Sequence, residues 1–145
     1  MNLTLSTDYS LRALIYLGTC RPQLASVAQI SEAYGISRHH LVKVVHQLGR
    51  LGFIETLQGR GGGLRLAREP GSICIGDLVR RTETFQLVEC FDRERNTCPI
   101  TPACTLKHIL GEATEAFVSV LDRYTLADLL KHPRKMAQLL MIERV

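Results

Sequence analysis

The chain has 145 residues, 46% hydrophobic and 22% charged, with 18 Lys and Arg against 14 Asp and Glu, a formal net charge of +4 at pH 7. That length supports one domain, or a small domain with an appended dimerisation element, and the composition is that of a folded soluble chain. No apolar run reaches the roughly 18–20 residues that span a bilayer, and residues 1–8 lack a basic stretch followed by an apolar one, so no membrane span and no export signal are expected, and the cytoplasm is the expected location.

Charge is unevenly spread. Residues 1–70 carry eight Lys and Arg against four Asp and Glu, whereas residues 71–145 carry ten of each. The excess concentrates between Ser37 and Leu66, where Arg38, Lys43, Arg50, Arg60 and Arg65 face only Glu55. Such a local excess is the electrostatic footprint of a polyanion-binding face, although charge alone equally describes a solvated surface.

A first helix is predicted over residues 7–19, with Thr7 as N-cap, Asp8 in the first turn where the helix dipole favours an acid, and Gly18 and Pro22 marking its end. Ser26-Val27-Ala28-Gln29 has the form of a capping box and opens a second helix that stops at Tyr34-Gly35. Ser37 caps a third helix reaching Leu51, and Gly52 follows where a left-handed residue is wanted. Helix, short Gly-containing turn and capped helix make a helix-turn-helix pattern. Phe53 to Leu57 is rich in aromatic and β-branched residues and reads as a strand; Gln58 to Gly63 is a glycine-rich turn; Leu64-Arg65-Leu66 alternates as a returning strand. A hairpin after a helix-turn-helix is a wing. Its tip carries Arg60 among glycines, Gly61 included, which let the backbone approach a phosphate or a narrow groove.

Beyond the turn at Glu69 to Ser72, a short strand is predicted at Ile73-Cys74-Ile75 and a short helix from Gly76 to Arg81. Residues 84–101 are irregular, charged and proline-containing. A long helix is then predicted from Pro102 to about Tyr124, with apolar residues at Leu106, Leu110, Ala113, Phe117, Val120 and Tyr124 and with Ile109, Ala116 and Leu121 beside them. Steps of four and three are a heptad seam. Such a seam in so small a chain fits packing on a second copy, with packing inside the chain as the alternative. Thr125 caps a short helix that Pro133 is expected to break, and a helical tail with Met136, Leu139 and Leu140 follows Arg134. The fold class is therefore mainly α: a winged helix-turn-helix with a long C-terminal dimerisation helix and a short β-hairpin wing. The expected division is residues 1–82 for the DNA-binding region, 83–104 for a ligand-binding loop, and 102–145 for the dimerisation helix and tail.

In the third helix Leu41, Val44, Val45 and Leu48 fall on one face and are assigned to the core. Ser37, Arg38, His39, His40, Lys43 and Gln47 are left for solvent and for DNA, where the first turns of such a helix meet base edges. Arg38 suits a guanine; Ser37, Lys43 and the early amides suit phosphate oxygens. The adjacent His39 and His40 point apart on a helix and do not share an ion. No nucleophile–base pair, phosphate-binding motif or paired carboxylate stands out, so an enzyme is not expected.

Cys20 and Cys74 stand alone in apolar surroundings and read as small buried hydrophobes. Cys90, Cys98 and Cys104 crowd into fifteen residues. In a reducing compartment clustered thiols more readily hold a metal than form a disulfide. Three readings stand at this point: unliganded structural cysteines, a Cys₃His zinc site completed by His108 one turn after Cys104, and an iron–sulfur cluster with three thiolates and one unusual ligand.

Four separated stretches, Thr7-Asp8-Tyr9-Ser10-Leu11-Arg12-Ala13-Leu14, Tyr34-Gly35-Ile36-Ser37, Gly59-Arg60-Gly61-Gly62-Gly63 and the three-cysteine loop, occur in the order found in the winged-helix iron–sulfur transcriptional repressors. The chain resembles that family over nearly its whole length. Ile100 to Lys107 and Tyr124 to Leu129 are most similar to its nitric-oxide-sensitive branch. The resemblance implies that Cys90, Cys98 and Cys104 hold an iron–sulfur cluster, [4Fe-4S] or [2Fe-2S], and that Asp8 is the position from which some members supply an oxygen ligand across the dimer. Without the resemblance Asp8 is a helix-start acid only. An oxygen ligand holds iron more weakly than a thiolate, and a weakly held corner is open to a small molecule. The implied protein is a homodimeric repressor that binds a double-stranded inverted-repeat operator and releases it on nitric oxide attack. The spacing of Cys90 and Cys98 is longer than in several relatives, so a regulator responding to iron or cluster status is the alternative, with a DNA-binding regulator holding structural zinc behind it.

Overall fold

The computed structural model describes residues 1–143; the last two residues of the predicted 102–145 region lie outside the described residues. Helix α1 spans Leu5–Cys20, and its N-cap is Thr4, not Thr7: the Thr4 hydroxyl accepts from the Thr7 amide at 3.3 Å. Thr7 is instead fully buried inside the first turn. Thr4 and Thr7 are both suitable N-cap residues, and the Glu83 bonds that favour Thr4 come from far along the chain.

Helix α2 (Val27–Tyr34) begins in the predicted capping box, with Ser26 Oγ accepting from the Gln29 amide and Gln29 Oε1 accepting from the Ser26 amide. It ends at Gly35, whose φ of 63° needs a residue without a Cβ penalty. Helix α3 (Arg38–Arg50) is capped by Ser37. Strands β1 (Ile54–Leu57) and β2 (Gly63–Leu66) pair antiparallel, Ile54 against Leu66 through Leu57 against Gly63. The turn between them is tight enough that a side chain at Gly62 would collide with the Leu57 carbonyl oxygen. A single bridge from Ala25 to Leu64 anchors the hairpin to the start of α2.

Helix α4 (Ile75–Thr82) follows, then the cysteine loop, then α5 (Thr105–Leu121), α6 (Leu126–Leu129) and α7 (Pro133–Leu139). The strand expected at residues 73–75 reduces to one bridge between Cys74 and Thr125. The run is too short for a ladder, and Ile75 already opens α4. Gly18 does not end α1; it sits inside the helix, where a Cβ would press on Leu130. Pro133 does not break a helix but starts α7 in its first turn, the position where a missing amide costs least.

One core joins α1, α2, α3, the hairpin, α4 and α6 through Leu14, Leu17, Ile30, Leu48, Phe53, Leu78 and Leu126, all almost fully buried. Helix α5 stands apart. Its only buried residue is Val118, and within the chain it contacts α4 more than any other helix.

Candidate metal centre and nucleic-acid interface

The third helix divides into three faces. Leu41, Val44, Val45 and Leu48 are buried as expected. At 100° per residue, Arg38, His39, Val42, Lys43, His46 and Arg50 share the opposite arc, and all six are exposed. His40 and Gln47 lie on the flank toward α1. The His40 ring sits 6.5 Å from that of Tyr9, and Gln47 is half-buried with its amide oxygen accepting from the Ser6 hydroxyl at 3.1 Å. Gln47 therefore does not point to solvent as the sequence pattern predicted. A helical wheel cannot show that the first turn of α1 covers this flank. Val42 and His46 were overlooked at the sequence level, and Arg50 was counted only in the basic excess, although the 3.6-residue period places all three with Arg38 and His39.

Ser37 Oγ accepts from the His40 amide at 3.4 Å, so its hydroxyl is engaged in capping. Arg60 and Gly61 form the exposed tip of the wing. Among the basic residues, Arg65 is neutralised by Glu55 across the hairpin at 2.8 Å. Arg38, Lys43, Arg50 and Arg60 have no ion pair among the described residues, which leaves their charge for an external anion.

All five cysteines are free thiols. Cys20 is buried and its sulfur donates to the Leu17 and Gln23 carbonyls; the Cys74 sulfur donates to the Asp122 carbonyl. Cys90, Cys98 and Cys104 are half-buried, and their sulfurs have no hydrogen-bond partner among the described residues. The loop backbone is nevertheless well pinned. Cys90 lies in a 3₁₀ turn (Glu89–Phe91), the Cys98 amide donates to Asn96, and Cys104 is the N-cap of α5. Thr97 donates its hydroxyl and amide to Glu89 Oε1, which holds that carboxyl below its usual range and ties the two ends of the Cys90–Cys98 segment.

The donor set suits an iron–sulfur group: three soft sulfur ligands, none oxidised and none engaged elsewhere. The single chain does not draw them together, since among the described residues no three His, Cys, Asp or Glu side chains gather around one metal-sized point. His108 is exposed on α5 and is likewise not gathered with the thiols.

Asp8 lies in the first turn of α1 and is paired with Arg12 at 2.9 Å. The Arg12 guanidinium lies 5.9 Å from the Tyr9 ring and 5.7 Å from the Tyr34 ring. Burial pushes the Tyr34 phenol up to about 12, so it remains a donor to the Arg12 carbonyl throughout the ordinary pH range. This frame orients Asp8 at the start of α1.

The same helix end is latched to the cysteine loop. Glu83 Oε2 accepts from the Thr4 amide at 2.8 Å and from its hydroxyl at 3.2 Å. Burial pushes the Glu83 carboxyl up, but bonds from the Thr4 and Thr84 amides and the Thr7 and Thr4 hydroxyls outweigh it and hold the group below the ordinary value. Its folded pKa is thus below its unfolded one. The latch contributes fully above the unfolded value of 4.5 and is lost as pH falls through the lower folded value. Glu83→Gln should cost about 1 kcal/mol at pH 7, the scale of a partly exposed charge-assisted hydrogen bond. Urea melts should show that difference shrinking below pH 4; a difference constant with pH would remove the latch.

A capped helix-turn-helix followed by an arginine-tipped hairpin defines a winged-helix protein. A sequence model of the Rrf2 family, described as "Iron-dependent Transcriptional regulator", matches residues 3–132, and the chain belongs to that family. It is a transcriptional regulator and not an enzyme. It is 53% identical over 142 residues to the "HTH-type transcriptional regulator NsrR" of Bacillus subtilis (strain 168), covering 97% of each chain. It is 54% identical over 131 residues to the protein of the same name from Shouchella clausii (strain KSM-K16), covering 89% of this chain and 88% of the relative. Among solved structures it is similar to "T. potens IscR", with a TM-score of 0.72 at 28% identity over 90% of this chain and 87% of the other. It is also similar to Staphylococcus aureus CymR, with a TM-score of 0.70 at 25% identity over 89% and 98%.

Proposed function

We propose that the chain is a cytoplasmic, homodimeric repressor that binds a double-stranded inverted-repeat operator while holding an iron–sulfur cluster, and that nitric oxide releases it. The observation that carries this reading is the contrast among the cysteines: two sulfurs are engaged with carbonyls, and three, on one loop leading into an uncovered helix, have no partner among the described residues. The name shared by the Bacillus and Shouchella relatives points to the same branch of the family.

On this reading residues 1–82 bind DNA, 83–104 carry the cluster ligands and 102–145 carry the dimer seam. Cys90, Cys98 and Cys104 hold the group, and Asp8 of the second copy completes its ligands. A bound cluster supplies iron sites that nitric oxide can attack. The chain converts a change there into motion of the DNA-reading head. Cys104 occupies the N-cap position of α5 without a side-chain capping bond, so on this reading whatever holds its sulfur positions the start of that helix. The far end of α5 is clamped to α4: Arg80 pairs with Asp122 at 2.7 Å, and the Ile75 amide donates to the Tyr124 carbonyl at 2.9 Å. A shift at Cys104 can thus be passed along α5 to α4 and to α1, which α4 packs against. Arg38, His39, Lys43 and Arg60 make the DNA face, with Ser37 and Gly61 offering backbone amides and His40 and Gln47 its edge.

The test is anaerobic titration of the purified protein with a nitric oxide donor, following visible absorption and operator binding together. Loss of the visible bands should run in parallel with loss of operator affinity. Bleaching with unchanged affinity would overturn the nitric oxide assignment. The family description, "Iron-dependent Transcriptional regulator", favours one second reading, regulation by iron status. Affinity that follows iron supply and ignores nitric oxide would establish it.

A further inference from the structure

We propose that Val42 reads the 5-methyl group of a thymine in the major groove, and so sets base preference alongside Arg38. The inference rests on the DNA-binding reading above and adds a residue and a ligand group to it. The four apolar residues that α3 needs for the core are Leu41, Val44, Val45 and Leu48, and all four are buried. Val42 is a fifth, and it is 51% exposed. Scattered exposed apolar residues are ordinary on protein surfaces, but this one has a particular setting. By helical spacing it lies between Arg38 and His46 and beside His39, on an arc that is otherwise polar and cationic.

Among the described residues, about half of Val42 is left without cover. The groove between α1 and α3 is lined by His40, Lys43, Val44 and Gln47, on the other flank. A helix that enters the major groove dehydrates its outer face, so an isopropyl group there needs an apolar partner. The edges of the base pairs present only one, the thymine methyl. Valine suits this task because its branched Cβ leaves one strongly preferred rotamer in a helix. The group is therefore presented in a fixed direction with little entropy to lose, whereas the long arginine beside it gains by adapting.

The experiment uses the full chain, purified anaerobically with its cluster. The protein selects duplexes from a random pool, and the preferred duplex is then resynthesised with uracil in place of each thymine in turn, which removes only the methyl group. One symmetry-related thymine position should emerge at which uracil weakens the wild type about fourfold per half-site, the effect of burying one methyl-sized group. Val42→Ala should bind the thymine duplex about as weakly as the wild type binds the uracil duplex, and uracil should cost it nothing further. Val42→Ile should keep the sensitivity to uracil. If the wild type selects a sequence but no uracil substitution weakens it, or if Val42→Ala stays equally sensitive, the Val42 assignment is overturned and DNA binding stands. If no sequence is enriched, the DNA-binding reading fails and takes this one with it.

Discussion

Cys98→Ala protein is expected to emerge from anaerobic purification without visible absorption and to bind its operator no better than unrelated DNA, a loss of roughly 10³-fold or more. Cys90→Ala and Cys104→Ala should behave alike. The reason is the lack of redundancy: each of the three sulfurs stands without another partner among the described residues, so a lost ligand has no protein group waiting to replace it. Cys20→Ala and Cys74→Ala are the internal controls. Their sulfurs serve carbonyl oxygens, and Cys20 also fills core space, so they should keep the colour. Removing the buried Cys20 sulfur should cost on the order of 1 kcal/mol of stability through the space it leaves. Asp8→Ala should do less than the loop variants, because water or a small thiol can replace one weak oxygen ligand. It also frees Arg12 from its 2.9 Å ion pair. Asp8→Asn, which keeps the side chain's shape, separates the two effects. His108→Ala should leave colour and DNA binding intact. If it strips a colourless metal instead, the site is a Cys₃His zinc centre. Retained visible absorption in all three loop variants would remove the cluster from this loop.

Much of the DNA-binding half was legible in the sequence because it is written in local signals. The Ser26–Gln29 capping box, the helix stop at Gly35, the Ser37 cap, the left-handed Gly52 and the glycine-rich wing tip each act within four or five residues, and each appears where the pattern put it. The core face of α3 was equally clear, since four apolar residues at helical spacing leave little choice. What failed depends on residues far away in sequence. The start of α1 at Thr4 is reinforced by Glu83, seventy-nine residues on. Gln47 turns away from solvent because its amide oxygen accepts from the Ser6 hydroxyl, while His40 stays exposed beside Tyr9. The bridge at Cys74 forms with Thr125, and the interior Gly18 makes room for Leu130. The candidate metal centre shows the same limit. Sequence can name three thiols on one loop, but which groups are gathered around them is decided by tertiary and, on the proposed reading, quaternary contacts that no local pattern encodes.

The long helix leads to the second large effect. Leu106→Glu combined with Val120→Glu should convert the protein from a dimer to monomers and reduce operator affinity at least 100-fold. In the single chain Leu106 is 58% exposed and Val120 is 45% exposed, with Ile109 and Tyr124 similarly open. The other seam residues are less telling: Leu110 and Phe117 are half-buried, and Ala113 and Phe117 line a groove with Leu3 and Phe85. Leu106 and Val120 are therefore the substitutions of choice, because they are more exposed than Leu110 and Phe117 and glutamate there disturbs less of the single chain's own packing. A seventeen-residue helix is about 25 Å long, and most of the stability of such a helix comes from packing its apolar face. With Val118 as its one fully buried residue and Leu110, Phe117 and Leu121 only half-buried, α5 has little of that packing within the single chain, and a second copy would supply the rest. A twofold seam would bring four new carboxylates into an apolar interface, and charges desolvated without partners cost several kcal/mol. The folded heads should survive, so circular dichroism should be nearly unchanged while sedimentation reports a single chain. Weak, salt-sensitive binding by one head should remain, since the basic face belongs to each copy. An intact dimer in the double variant would place the interface off this seam; a monomer with full operator affinity would separate dimerisation from DNA reading.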